Sequence, residues 1–201
     1  MTPRADAVRS RARILEVARG HDVRALRLND VARDAGVGIG TVYRHFPTVK
    51  ALVEALSVDT LMRLGDAADR AVGEPDAHEA FRRFLDDALT LQLEDGGLEA
   101  VLTDMARTDP GLHDECAAAR GKVFAGYDAV LSRAQRDGVV RGDVSPAQLQ
   151  RLVCGVEHAV RLGAPADRDL LLDILLSGLR PDWAPDSPAP AAALRPAATI
   201  G

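Results

Sequence analysis

Apolar residues return every three or four positions along most of this chain, and runs in which β-branched or aromatic residues alternate with polar ones are missing. A period of three to four lines side chains along one stripe of a helix, whereas a strand needs a period of two. Composition agrees: aromatics are only 3% of residues, and Ala, Leu, Arg, Asp and Glu dominate over the strand formers. The chain is therefore expected to be all-α.

Breakers and caps divide the pattern. A first helix is expected over 6–19, with Val8, Ala12, Leu15 and Ala18 along one face, then a loop over 20–27. A short helix over 28–35 carries Leu28, Val31, Ala32 and Ala35 inward, and Gly36 suits a left-handed cap. Another short helix over 39–46 offers Val42 and Phe46 to the same core before Pro47 stops it. Thr48 is placed to cap a long helix reaching residue 71, with Val49, Leu52, Val53 and Leu56 at helical spacing. Further helices are expected over 77–93, 98–107, 112–137, 145–162 and 167–179, separated by Gly and Pro.

Charge is divided along the chain. Residues 1–52 carry 10 Arg or Lys against 5 Asp or Glu, while the other 149 carry 15 basic and 25 acidic residues. A basic head on an acidic body suits a module that displaces counterions from phosphate beside one that does not. The expected division is a head over 1–52, a helical body over 53–180 and a disordered tail over 181–201, which holds five Pro and seven Ala. No apolar run approaches a membrane span, and the Arg-rich start lacks the apolar stretch of a secretory signal, so a cytoplasmic protein is expected. Cys116 and Cys154 are too few for a disulfide framework or a paired-cysteine metal site. The cluster of His113, Glu115 and Cys116 lacks a second group at zinc-like spacing, so neither a metal nor a cofactor is expected. Motifs for a nucleophile or a zinc hydrolase are missing, and the expected function is not enzymatic.

Two short helices joined through Ala35-Gly36-Val37-Gly38, each with an apolar inner stripe, fit a helix-turn-helix. If Val42 and Phe46 face the core, Thr41, Arg44 and His45 project largely outward, with Tyr43 at the edge. A hydroxyl, a phenol, a guanidinium and an imidazole there can donate to phosphates and base edges.

The run from Asp30 to Pro47, above all Gly40-Thr41-Val42-Tyr43-Arg44-His45-Phe46-Pro47, resembles the head of the TetR family of bacterial transcriptional regulators. The resemblance implies that Thr41, Tyr43 and His45 contact phosphates, that Ile39, Gly40 and Arg44 approach bases, and that Arg27 and Asn29 occupy contact positions on the preceding helix. The chain also departs from the family pattern. The stretch from Ile14 to Arg27 is shorter than usual and lacks the customary Leu-Phe pair, Arg27 replaces the Ser or Thr that caps the second helix, and Val49 stands where Lys is common. Lys50, one position on, joins the expected contacts.

The final helix is apolar on more than one side, through Leu170, Leu171, Leu172, Ile174, Leu175, Leu176 and Leu179, and so must be covered twice. With the preceding helix it is expected to form a two-fold homodimer interface through Leu149, Leu152, Val153, Val156, Leu171, Ile174 and Leu175. The resemblance further implies an effector pocket in the body, for which Leu61, Leu64, Phe84, Leu85, Leu102, Met105, Phe124, Tyr127 and His158 are the candidates, Tyr127 and His158 being the polar handles. The function expected is that of a regulator, a repressor released from a palindromic operator by a small apolar or aromatic ligand. The alternatives are a helical small-molecule-binding or enzymatic protein whose head no longer binds DNA, and an adaptor that uses its leucine-rich terminal helices.

Overall fold

The computed structural model describes residues 3–103 and 114–182. Met105, and the expected tail from residue 183 onward, lie outside the described residues. Among the described residues all regular structure is helical: α1 Pro3–Ala18, α2 Leu28–Ala35, α3 Ile39–His45, α4 Val49–Gly73, α5 Ala77–Glu94, α6 Leu98–Thr103, α7 Asp114–Arg136, α8 Pro146–Leu162 and α9 Arg168–Gly178, with single 3-10 turns at Val23–Ala25 and Pro165–Asp167. No described helix is long and apolar enough to cross a membrane.

The helix ends follow from local chemistry. Gly36 adopts φ 66°, and its N–H closes on the carbonyls of Ala32 and Arg33. The Thr48 hydroxyl accepts from the Ala51 N–H, and the Asp76 carboxylate from those of His78 and Glu79. Those two bonds hold the Asp76 carboxyl below the usual carboxylate range. Ser145 and Gln148 form a reciprocal capping box with Pro146 in the first turn of α8. At three helix C-termini, that of α2 included, distant arginines add to the caps. Arg13 donates to the Ala35 carbonyl, Arg133 to those of Ala71, Val72 and Pro75, and Arg161 to those of Gln92 and Leu93. Each guanidinium donates to carbonyls at or just beyond a helix C-terminus, and so docks one helix against the end of another.

The face expected for α1 is corrected. Val8 is 65% exposed and Ala12 is exposed, while Ile14, Leu15 and Ala18 are buried. The cause is length: α2 and α3, of 8 and 7 residues, cover only the second half of a 16-residue helix.

A contiguous apolar core runs from Ile14 to Leu179, and α4 lies in both of its regions. Leu52 and Val53 are buried beside the small head, and Leu61, Leu64, Ala67, Ala68 and Ala71 in the body, where α4 packs most extensively on α7. The two helices approach so closely that a Cβ placed on Gly126 would lie 2.5 Å from the Ala68 Cβ. Gly126→Val should therefore destabilise the protein by roughly 1–3 kcal/mol. Gly121→Ala on the same helix, where an added Cβ meets nothing within 4 Å, should instead stabilise it by about 0.5–1 kcal/mol. Urea unfolding at fixed protein concentration checks both signs.

Candidate nucleic-acid interface

Helices α1, α2 and α3 meet on Ile14, Leu15, Ala18, Leu28, Val31, Ala32, Val42 and Phe46, all buried. Two arginines of α1 complete this joint. The Arg13 Nε donates to the Ala35 carbonyl at 2.6 Å, holding the C-terminus of α2, and the Arg11 guanidinium lies 5.6 Å from the centre of the Phe46 ring. Nothing in the spacing separates Arg13 and Arg11 from their neighbour Arg9, which instead pairs with Asp6 on its own helix.

With Val42 and Phe46 inward, the 100° step of a helix puts Arg44 on the opposite side, flanked by Tyr43 and His45. Arg44 is exposed, Tyr43 is 49% exposed and Ile39 39%. Thr41 and His45 are half-buried, so Tyr43 projects more fully than the edge position expected for it, and Thr41 and His45 less. The His45 ring packs at 6.2 Å from that of Phe46, which accounts for its partial cover. Arg44 lies along its own helix, donating to the Gly40 carbonyl at 3.0 Å and to the Thr41 hydroxyl at 3.4 Å. Gly40 bears no side chain in the first turn of α3, and an added Cβ there would meet nothing within 4 Å, so an outside group can approach its backbone.

Arg27 and Asn29 stand exposed at the N-terminus of α2, where Arg27 makes no side-chain cap. Among the described residues no carboxylate pairs with Arg27 or Arg44, whereas Arg33 is held by Asp30 and Asp34 and its guanidinium is pushed to hold its proton more tightly still. Lys50, exposed at the start of α4, lies 3.8 Å from the buried Glu54 carboxylate. The outer surface of α2 and α3 thus presents Arg27, Tyr43 and Arg44 near helix N-termini, whose N–H groups and dipoles favour anions, while Lys50 lines a groove with Arg24, Val53 and Glu99.

In the body, Leu61, Leu64, Phe84, Leu85, Leu102 and Tyr127 are all buried to 1% exposure or less, Phe124 is half-buried and His158 is exposed. Tyr127 meets Phe84 edge-on at 4.8 Å, and burial pushes its phenol far above the ordinary range, so it stays protonated. Its hydroxyl and the Gln92 Nε2 are buried without hydrogen-bond partners. Beside them the Cys154 thiol donates to the Gln92 Oε1 at 3.1 Å and accepts from the Gln150 Nε2 at 2.8 Å. Burial raises Cys154 to about 12 and Cys116 to about 11, which keeps both thiols neutral. Gln92 and Gln150 escaped sequence reasoning because each sits in an apolar helical stripe that marks core rather than chemistry.

On the far side of the body, Leu149 and Val153 are spent on the subunit's own core, at 0% and 1% exposure. Leu152, Val156, Leu171, Ile174 and Leu175 remain on the outside of α8 and α9 and line one shallow groove. Leu152 is 42% exposed and Ile174 58%.

Residues 12–56 match the family model of the bacterial regulatory proteins of the tetR family, and residues 76–181 that of the C-terminal domain of SbtR-like transcriptional regulators. A TetR transcription regulatory protein of Mycobacterium vanbaalenii is 34% identical, over 89% of this chain and 99% of its own, with a TM-score of 0.47. A TetR transcriptional regulator of Streptomyces coelicolor is 28% identical over 86% of this chain and 99% of its own, with a TM-score of 0.51. The TetR family regulator PfmR of Thermus thermophilus is 24% identical over 83% and 98%, with a TM-score of 0.56. No curated protein matches the chain.

The orphaned phenol carries a prediction of its own. A buried hydroxyl without a partner costs about 1–3 kcal/mol, so Tyr127→Phe should stabilise the ligand-free protein by on the order of 1 kcal/mol. Thermal unfolding in the absence of any added compound checks the sign, and a loss of stability would mean that the hydroxyl is satisfied.

Proposed function

The chain belongs to the TetR family of bacterial regulatory proteins, and from that premise we propose that it is a dimeric repressor that holds a palindromic operator through its helix-turn-helix and releases it when a small apolar ligand enters the body. The observation that carries the reading is the outward row of Tyr43 and Arg44, with Arg27 beside it, on helices whose other faces are locked into the head core. Arg44 opposite the buried line has the reach and the planar donors to read a base edge. Tyr43, Thr41, His45, Asn29 and Lys50 surround it with donors for phosphate, and Ile39 and Gly40 allow close approach. The head over 1–52 and the body over 53–180 divide this work.

Apolar Leu152, Val156, Leu171, Ile174 and Leu175 on the outside of α8 and α9 supply a self-complementary surface, and a two-fold axis through it sets two heads about 34–36 Å apart, one turn of DNA. The effector reading rests on Tyr127 and Gln92, whose donors are buried without partners in the body, Tyr127 edge-on to Phe84 and in the same apolar core as Leu61, Leu64, Leu85 and Leu102. A mostly apolar ligand carrying one or two acceptor oxygens suits them. His158 stands exposed on α8 and plays no part at that centre. The path to the head is short. A Cβ on Gly97, in the turn after α5, would meet Val53 of α4 at 2.8 Å and Val23 of the head at 3.2 Å, so a ligand that shifts α5 presses on both.

Selection from random DNA should return a two-fold symmetric site, bound with a log–log salt slope of about −4 if Arg27 and Lys50 of each subunit neutralise phosphates while Arg44 reads bases. Arg44→Ala should cost about 1–3 kcal/mol and relax base preference, while Tyr43→Phe weakens every sequence alike. Recovery of unrelated sequences, or binding indifferent to salt, would sink the DNA reading. For the dimer, Ile174→Asp is the clean variant because its site is exposed in the single subunit. It should yield a folded monomer by light scattering with unchanged helical content, and a persisting dimer would place the interface elsewhere.

A further inference from the structure

Glu99 of α6 and the adjacent Glu157 and His158 of α8 converge: one oxygen or nitrogen from each lies within 4.8 Å of the other two. Glu157 is 1% exposed. Arg161, one turn further along α8, donates to its Oε1, and its Oε2 is buried with no hydrogen-bond partner. A desolvated carboxylate oxygen that faces neither water nor a donor is costly, and a cation is the group that offsets it. We infer that Glu99, Glu157 and His158 form a site for a divalent first-row transition ion of the Zn²⁺ class, with water completing the coordination. This inference does not depend on the DNA-binding reading.

The donor set selects the ion. Two carboxylates with one imidazole exclude soft ions that demand thiolate, and the imidazole nitrogen disfavours Ca²⁺ and Mg²⁺, which take oxygen. Cys154 is no competitor, because its thiol already lies between Gln92 and Gln150. Zn–O and Zn–N bonds near 2.0–2.2 Å ask for ligand atoms about 3.4 Å apart in a tetrahedron. The exposed His158 and half-buried Glu99 can close that gap by changing rotamer while Glu157 stays fixed in the core. The ion has a route in, since Glu99 also lines an open groove with Arg24, Lys50 and Val53.

Two cations engage these carboxylates and a third lies close by. Arg161 holds Glu157, Lys50 lies in the same groove but 3.8 Å from Glu54, and the Arg24 guanidinium of the head lies 3.7 Å from the Glu99 Oε2. The ion therefore competes with Arg24 for Glu99. Neither Glu99 nor His158 is legible as a metal ligand in the sequence, because Glu99 joins the α8 pair only when α6 folds against it.

The test titrates ZnCl₂ into the chelator-treated full chain by calorimetry, with X-ray absorption of the loaded protein. Expected are one ion per subunit, a shell of oxygen and nitrogen near 2.0–2.1 Å, and affinity lowered at least about tenfold by Glu99→Gln and separately by His158→Ala. Arg24→Ala should tighten binding by freeing Glu99. Glu157 is left intact because its variants risk the core, and thermal midpoints without zinc verify that the other variants keep the fold. Failure of the wild-type chain to bind, binding that both ligand variants leave unchanged, or a sulfur shell near 2.3 Å would overturn the assignment.

Discussion

Helix α4 is one uninterrupted rod of 25 residues, about 37 Å long, and it is buried at both ends in different company. Its first turn, capped by Thr48, starts immediately after the recognition helix, and Leu52 and Val53 are buried beside the head core. Its middle is clasped by α7, where Gly126 lets the backbones approach, and by α5. Its last carbonyls are held by Arg133. A helix bends little compared with a loop, so the orientation of the head is tied to the packing of the body rather than to a flexible linker. This rod is the continuous helical link between head and body.

The two parts of the core differ in chemistry. Beneath the recognition helix the packing is aliphatic with one Phe ring, and polar groups reach it only from the edge, as Arg11 and Arg13 do. The body interior instead buries Gln92, Gln150, Cys154, Tyr127 and Glu157, several with unpaired donors or acceptors. Unsatisfied polar groups weaken a core and persist where something else uses them. The two parts thus differ in how fully their buried polar groups are paired. The partnerless groups among the described residues are Tyr127 and Gln92 in the body, Glu157 towards α6, and Ser57 of α4 beside Gly97.

The amino-acid pattern alone determined the helical segments, their order and which side of α2 and α3 turns inward. Gly36, Thr48 and Ser145 act within a residue or two of where they sit, so caps and turns are legible locally, and a 3.6-residue period identifies which side of α2 and α3 turns inward. Arg44, Tyr43 and Arg27 could be picked out because exposure on a short helix follows from the two buried neighbours.

Periodicity, however, says that a residue is covered without saying by what. Val8 and Ala12 continue the apolar stripe of α1 but extend past the ends of its partners, and Leu149 and Val153 went to the subunit core while their helix-mates stayed outside. The arginines that close α2, α4 and α5 act across 22, 62 and 69 positions, and such a pairing depends on where a long side chain meets another helix's end. The same holds for Glu99 beside Glu157 and His158, and for Tyr127 left without a partner. Local hydrogen bonding and hydrophobic period are properties of a segment, and the sequence by itself determined those; which segments touch, and which polar groups are thereby paired or stranded, only the tertiary structure decided, because contact depends on the three-dimensional path of the whole chain.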